Sequence, residues 1–76
     1  MKFIISKNKA INLENVVDIF VSSGYLKVTT DGGLNSREVS LAYGTDTEMT
    51  KLFAEVMNFI AGESKIFDCD KFMKTL

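Results

Sequence analysis

The chain has 76 residues, 46% of them hydrophobic, and nine basic against ten acidic side chains leave a net charge of −1. With six Phe and two Tyr, this composition indicates one globular domain over residues 1–76 and excludes a disordered tail or a strongly basic nucleic-acid binder. One cysteine and no histidine exclude an intrachain disulfide, a Cys/His zinc site and the Ser-His and Cys-His nucleophile pairs.

Residues 1–13 predict a β-hairpin. Four apolar residues alternate with polar ones on its two arms: Phe3, Ile5, Ile11 and Leu13. A three-residue turn at positions 7–9 would bring all four onto one face, with Ile5 opposite Ile11 and Phe3 opposite Leu13. Asn8 or Lys9 would then adopt the left-handed backbone conformation, which Asn tolerates best.

Residues 16–30 predict a second hairpin, because two segments rich in β-branched and aromatic residues flank the turn Ser23-Gly24. A two-residue turn fixes the register, and three pairs then form one apolar face: Val21 with Leu26, Ile19 with Val28, and Val17 with Thr30. The opposite face carries the remaining pairs: Asp18 with Thr29, Phe20 with Lys27, and Ser22 with Tyr25. The hydrophobic pattern and the turn chemistry agree on this register.

Residues 31–35 are rich in turn formers, and residues 37–43 predict the next strand. Asp31-Gly32-Gly33 has the glycines of a phosphate-binding loop but lacks the Gly-Lys-Ser/Thr ending and precedes a strand, which favours a hairpin loop. Three residues of the strand are expected on one face: Val39, Leu41 and Tyr43. If Val39 lies beside Val28, the apolar face continues into this strand without a break.

Residues 45–61 predict an amphipathic helix. Thr45 and Glu48 have the spacing of a capping box, and Asp46 and Glu48 place negative charge at the positive end of the helix dipole. Apolar residues follow at helical spacing: Met49, Leu52, Phe53, Val56, Phe59 and Ile60. Gly62 is expected to end the helix.

Residues 62–76 form a short C-terminal arm of mixed composition. Ile66 and Phe67 predict a brief strand or a packed arm, and Asp68 or Asp70 is expected to cap a final helical turn. The whole pattern predicts an α+β domain in which an antiparallel β-meander of four to five strands (residues 1–44) packs against one amphipathic helix (45–61), with a short C-terminal arm or helix (62–76).

No residue pattern is typical of a catalytic, metal or cofactor site, so we expect a protein that is not an enzyme and takes no cofactor. Cys69 lies between Asp68 and Asp70, whose negative charge would raise the pKa of the thiol rather than produce a thiolate. One acidic pair does not supply the five or more oxygens of a calcium loop, so helix capping is the expected role of these aspartates.

Phe20, Tyr25 and Lys27 form the candidate interaction face. They are expected to lie together on the side of the central hairpin away from the core, because opposite and diagonal neighbours on paired strands touch. Left uncovered, they would form an aromatic patch of the kind enriched at protein interfaces. The alternative is that the C-terminal arm, through Ile66, Phe67 and Phe72, folds over this face and buries it.

Five cationic side chains support an alternative function: Lys2, Lys7, Lys9, Lys27 and Arg37. Lysines on a hairpin tip usually protect a sheet edge from pairing with another strand. If they contact phosphate instead, the protein is a nucleic-acid-associated accessory protein or an inhibitor of a nucleic-acid enzyme. Binding that weakens steeply with salt would support that alternative.

Four residues at the junction of strand and helix follow a recognisable pattern: Leu41, Tyr43, Thr45 and Glu48. Here the chain resembles a diffuse group of short proteins from Gram-positive bacteria and their phages or mobile elements, in which a strand ending Leu-Gly-x-Tyr leads through a Ser/Thr-x-Glu cap into one helix. Ala42 and Gly44 depart from that spacing. The resemblance implies a phage or mobile-element origin, and no function is assigned to the group. The meander and single helix are also similar to a trimmed pleckstrin-homology-like domain, and fold likeness alone assigns no function.

Size and composition favour a protein-interaction module that self-associates or binds a protein partner. A domain this small gains stability from disulfides, a metal or self-association, and the first two are excluded. The apolar run at the start is too short for a signal peptide, and no run reaches the ~20 residues of a membrane span. With an unpaired thiol, we expect a cytoplasmic protein with no membrane association and no small-molecule ligand.

Overall fold

The computed structural model describes residues 1–31 and 37–76, in which six strands and two helices form an α+β fold. The elements are β1 (Phe3–Ser6), β2 (Lys9–Asn12), β3 (Val16–Ser22), β4 (Tyr25–Thr30), β5 (Arg37–Tyr43), α1 (Asp46–Ala61), β6 (Ile66–Asp68) and α2 (Cys69–Met73). The predicted loop at Gly32-Gly33 lies outside the described residues.

The predicted α+β class is confirmed, and α1 packs against the sheets as expected. The strands form two sheets, in the orders β2-β1-β6 and β3-β4-β5, where the sequence predicted one continuous meander. Sheet β2-β1-β6 is completed by β6, which runs parallel to β1 and places Ile66 beside Phe3. A parallel partner from the far end of the chain leaves no signal in local turns, so hairpin patterns alone did not reveal it.

The register predicted for the first hairpin is wrong by one residue. The turn has two residues, Lys7 and Asn8, so Ile4 lies opposite Ile11, and Ile5 lies opposite Ala10. Because side chains alternate along a strand, this slip turns every side chain of β1 to the other face. Ile4 is therefore fully buried, whereas Phe3 and Ile5 are half-buried. Lys7 has the positive φ of +56°, which was expected at Asn8 or Lys9.

The central hairpin has the predicted register from Asp18 to Thr29, including Ile19 opposite Val28. Ser23 and Gly24 form its turn, with φ of +53° and +81°. Both residues therefore have the left-handed backbone conformation that a type I′ turn requires. Val28 also lies beside Val39 of β5, which is the arrangement that continues the apolar face into β5.

Two β-bulges correct the predicted faces of Val17 and Tyr43. In β3, Val16 rather than Val17 lies opposite Thr30, because the register shifts between Val16 and Asp18. In β5 the register shifts beside Leu41, so that Tyr43 lies opposite Tyr25. A bulge inserts one extra residue and reverses the alternation beyond it. Both side chains consequently point away from the core.

Helix α1 begins with the predicted capping box. The Thr45 hydroxyl accepts from the Glu48 N–H, and the Glu48 carboxylate accepts from the Thr45 N–H at 2.9 Å. Gly62 follows the last helical residue in an extended conformation, and its N–H donates to the Phe59 carbonyl. Fully or almost fully buried side chains from both sheets and both helices make the core: Ile4, Leu26, Val28, Leu41, Met49, Leu52, Val56, Phe59 and Cys69.

The C-terminal arm forms a strand followed by a short helix, and it packs into the core. Phe67 contacts the rings of Phe59 and Phe72 at 5.6 and 6.0 Å between centroids. Asp68 caps α2 by accepting from the Lys71 N–H. Asp70 accepts from the Lys7 N–H at 2.7 Å, which ties α2 to the first turn.

Candidate interaction surface

The structure brings the three predicted site residues together on the outer face of sheet β3-β4-β5. Phe20 lies opposite Lys27, and Ser22, two residues along β3, lies opposite Tyr25. The Lys27 ammonium lies 5.6 Å from the centre of the Tyr25 ring, within the range of a cation–π interaction. It also pairs with the Glu38 carboxylate at 3.3 Å. The Lys27 ammonium therefore contacts both the Tyr25 ring and the Glu38 carboxylate.

Tyr43 belongs to the same surface, although the sequence predicted it on the core face. Its ring centre lies 5.8 Å from that of Tyr25, with the two planes inclined by 43°. Tyr43 is 69% exposed and Tyr25 is 41% exposed. The sequence identifies Tyr43 as an aromatic residue of this strand, but the face on which Tyr43 lies depends on the bulge beside Leu41. No turn-forming residue in the sequence indicates that bulge.

Val17 is the second side chain that a bulge adds to this side of the molecule. It is 62% exposed, although valine is usually among the most buried residue types. We call the five side chains of this surface the outer-face patch: Val17, Phe20, Tyr25, Lys27 and Tyr43. Four of the five are apolar or aromatic, and they come from all three strands of the sheet.

The C-terminal arm does not cover the outer-face patch. β6 pairs with β1 in the other sheet, and Phe67 and Phe72 pack against the buried core cluster. Helix α1 lies on the opposite, inner side, where Leu26 and Val28 are fully buried. Within the patch, Val17, Tyr25 and Tyr43 are exposed, whereas Phe20 and Lys27 are half-buried.

The cations proposed for nucleic-acid contact do not form one group, because some of them bind other groups of the protein and others are exposed. Lys2 donates to carbonyl oxygens at the end of α1, and Lys27 is paired with Glu38. Lys9 and Arg37 are exposed. Asp18 and Glu38, which lie opposite Thr29 from its two sides, add negative charge to the same outer face as Lys27. This balance disfavours phosphate at the outer face.

Cys69 is fully buried, and burial raises the pKa of its thiol to about 12, with the negative charges of Asp70 and Asp68 adding to the effect. The expected direction is confirmed, but burial is the larger cause. The thiol is therefore protonated at neutral pH, the opposite of the state that a nucleophile or metal ligand requires. Among the described residues, no three His, Cys, Asp or Glu side chains come together as a metal site.

Comparisons with protein-family models, with curated proteins and with solved structures gave no match to this chain. In the described part of the chain, neither helix has the length and apolar character that crossing a membrane would take.

Proposed function

We propose that this domain is a non-enzymatic protein-interaction module that self-associates through the outer-face patch. The observation that carries the proposal is the exposed pair Tyr25 and Tyr43 beside Phe20, on a sheet face that no described element covers. Tyrosine and phenylalanine are enriched at protein interfaces, because they bury a large area and lose little conformational entropy. A second copy would remove this apolar surface from water.

The charges of the domain support a protein partner. A net charge of −1 provides little repulsion between copies. On the outer face, Lys27 is already paired with Glu38. A pair without net charge attracts a polyphosphate only weakly, and it can lie against the surface of another protein. The nucleic-acid alternative stays a prediction, and a gel shift at low salt tests it. The phage or mobile-element origin also stays a prediction, which the gene neighbourhood tests.

Size-exclusion chromatography with light scattering tests the proposed self-association. The native protein and Tyr43→Lys are compared over a wide range of protein concentration, with Ala54→Lys as the control. Ala54 is an exposed residue of α1, so the control adds the same charge away from the patch. Circular dichroism establishes that each variant is folded.

The native protein and Ala54→Lys are expected to exceed the monomer mass and to dissociate together on dilution. Tyr43→Lys is expected to raise the dissociation constant of the patch interface at least tenfold, because it replaces an aromatic contact residue with a charge. If the native protein and Tyr43→Lys have equal masses at every concentration, the outer-face patch is not an association surface.

A further inference from the structure

Strand β3 is an edge of sheet β3-β4-β5 whose backbone is open to another strand. Within the described residues, only β4 pairs with it. Ser22 and Tyr25 flank a two-residue turn, so they form a pair that exchanges both backbone hydrogen bonds. Alternation from this pair directs the N–H and C=O groups of Phe20 toward β4 and those of Ile19 and Val21 away from it. The outward groups are the ones that an added strand would bind.

The open edge forms one wall of a groove of about 340 Å³, whose other wall is α1. Three consecutive strand residues, Ile19, Phe20 and Val21, line it together with Thr50 and Phe53. Side chains alternate along a strand, so three consecutive lining residues indicate that the groove follows the backbone edge of β3. Val21 is 42% exposed, although it lies opposite the fully buried Leu26. Helix α1 thus leaves Val21 largely uncovered on the inner side, while Ile19 is half-buried against the core.

From Ile19 to Ser22 the open edge lacks the features that usually prevent strand addition, whereas Asp18 and the bulge before it protect the edge beyond that segment. Natural edge strands are protected by lysine, proline, charged side chains or a covering element. β2 carries the exposed Lys9, and on β5 the Leu41 carbonyl accepts from the Ser6 hydroxyl. The segment Ile19–Ser22 contains neither a charged residue nor a proline. Its first neighbour, Asp18, marks the end of the regular edge, because the bulge lies immediately before it.

We infer that β3 pairs antiparallel with β3 of a second copy, across a two-fold axis at Phe20, to form a continuous six-stranded sheet. In this register Ile19 lies opposite Val21 of the second copy, and the outward N–H and C=O groups of these residues meet each other. On the inner side, the apolar side chains of each copy enter the groove of the other. This interface is separate from the outer-face patch, apart from Phe20, and stands without it.

The sequence of β3 is what identifies the occupant as a second copy. The groove requires a strand with an apolar residue at every second position and no charge, and Ile19 and Val21 meet that requirement on the same strand. In the two-fold register Asp18 lies opposite Ser22 of the second copy, so the two aspartates stay at opposite ends of the paired segment. A two-fold contact also pairs the β3 edges of both copies with each other at once.

Amide hydrogen exchange measured by NMR tests the pairing directly. The experiment uses Tyr43→Lys, so that the patch does not contribute to association. Slowed exchange at the Ile19 and Val21 amides that increases with protein concentration is expected. The Phe20 amide, which points to β4, serves as the internal control and is expected to be protected at every concentration. Fast exchange at Ile19 and Val21 at high concentration overturns the inference, as does protection that is independent of concentration.

Two further substitutions in the Tyr43→Lys background separate an edge dimer from other assemblies. Val21→Lys places a charge in the groove, and Val21→Pro removes an outward N–H at a position where edge strands accept proline. Tyr43→Lys alone is expected to be a dimer. Each double variant, provided that it is folded, is expected to dissociate with a dissociation constant at least tenfold higher than that of Tyr43→Lys. Adding Ala54→Lys instead is expected to leave the dimer intact. A Tyr43→Lys protein that is monomeric at every concentration overturns the inference.

Discussion

Lys2 Nζ lies 2.9 Å from the carbonyl oxygen of Phe59 and 5.3 Å from the centre of its ring. The same ammonium donates to the carbonyls of Ile60 and Gly62 at 2.8 and 2.6 Å. Helix α1 has no basic residue in its last turn, so a lysine from the flank of β1 supplies the positive charge that the helix dipole favours there. A residue considered for phosphate contact thus serves to end a helix and to join it to the first strand.

Replacing Lys2 with methionine is expected to destabilise the domain by about 1–2 kcal/mol, because charge-assisted bonds to three carbonyl oxygens are lost while the aliphatic stem is kept. Urea denaturation at a fixed protein concentration measures the change. Lys9→Met makes the same replacement at an exposed position and is expected to stay within about 0.5 kcal/mol of the native protein. Equal effects of the two substitutions would show that Lys2 does not stabilise the end of α1.

Ser23 holds a positive φ of +53° in the turn between β3 and β4, which is unfavourable for most L-residues. Asparagine tolerates this conformation better and is preferred at the first position of a type I′ turn followed by glycine. Ser23→Asn is therefore expected to raise the free energy of unfolding by about 0.5–1 kcal/mol, seen as a higher urea midpoint at an unchanged slope. Ser22→Asn, one residue earlier in the strand, gains no such benefit. Destabilisation by Ser23→Asn would argue against the type I′ turn.

The elements that depend on local chemistry could be predicted from the sequence. Thr45 and Glu48 indicate the start of α1, and Ser23-Gly24 fixes the register of the hairpin β3-β4. Each signal lies within a few residues of the structure that it determines. The parallel pairing of β1 with β6 could not be predicted, since Phe3 and Ile66 are brought together only by the whole fold.

The candidate site was predicted in part for the same reason. Phe20, Tyr25 and Lys27 follow from one hairpin and its turn, and they lie together. Val17 and Tyr43 follow from alternation only if no extra residue interrupts the strand, and in both strands a bulge does so. Alternation beyond a bulge predicts the wrong face, and here both errors remove apolar residues from the predicted core and add them to the outer-face patch.

The bulge in β3 leaves Val17 exposed, and a comparison with the buried Val28 tests this placement. Val28→Ala is expected to cost about 2 kcal/mol, since two buried carbons are lost and a cavity remains. Val17→Ala makes the same change at a 62% exposed side chain and is expected to cost no more than about 0.5 kcal/mol. Both are measured by urea denaturation at a protein concentration low enough to favour the monomer. Similar losses for the two variants would place Val17 in the core, as uninterrupted alternation predicts.

Cys69 is expected to make the free energy of unfolding depend on pH in the alkaline range. Its pKa is raised from 9.0 to about 12 by burial, so the folded state keeps the proton that the unfolded state begins to lose near pH 9. The stabilisation is complete below pH 9.0 and is lost as the pH rises toward 12, with a slope of about 1.4 kcal/mol per pH unit between these values. Urea denaturation at several pH values above 9 measures this slope. Cys69→Ala creates a cavity at every pH but removes this titration, so its free energy of unfolding is expected to fall less steeply with pH. Parallel curves for the two proteins would mean that the Cys69 thiol ionises as readily in the folded state as in the unfolded one.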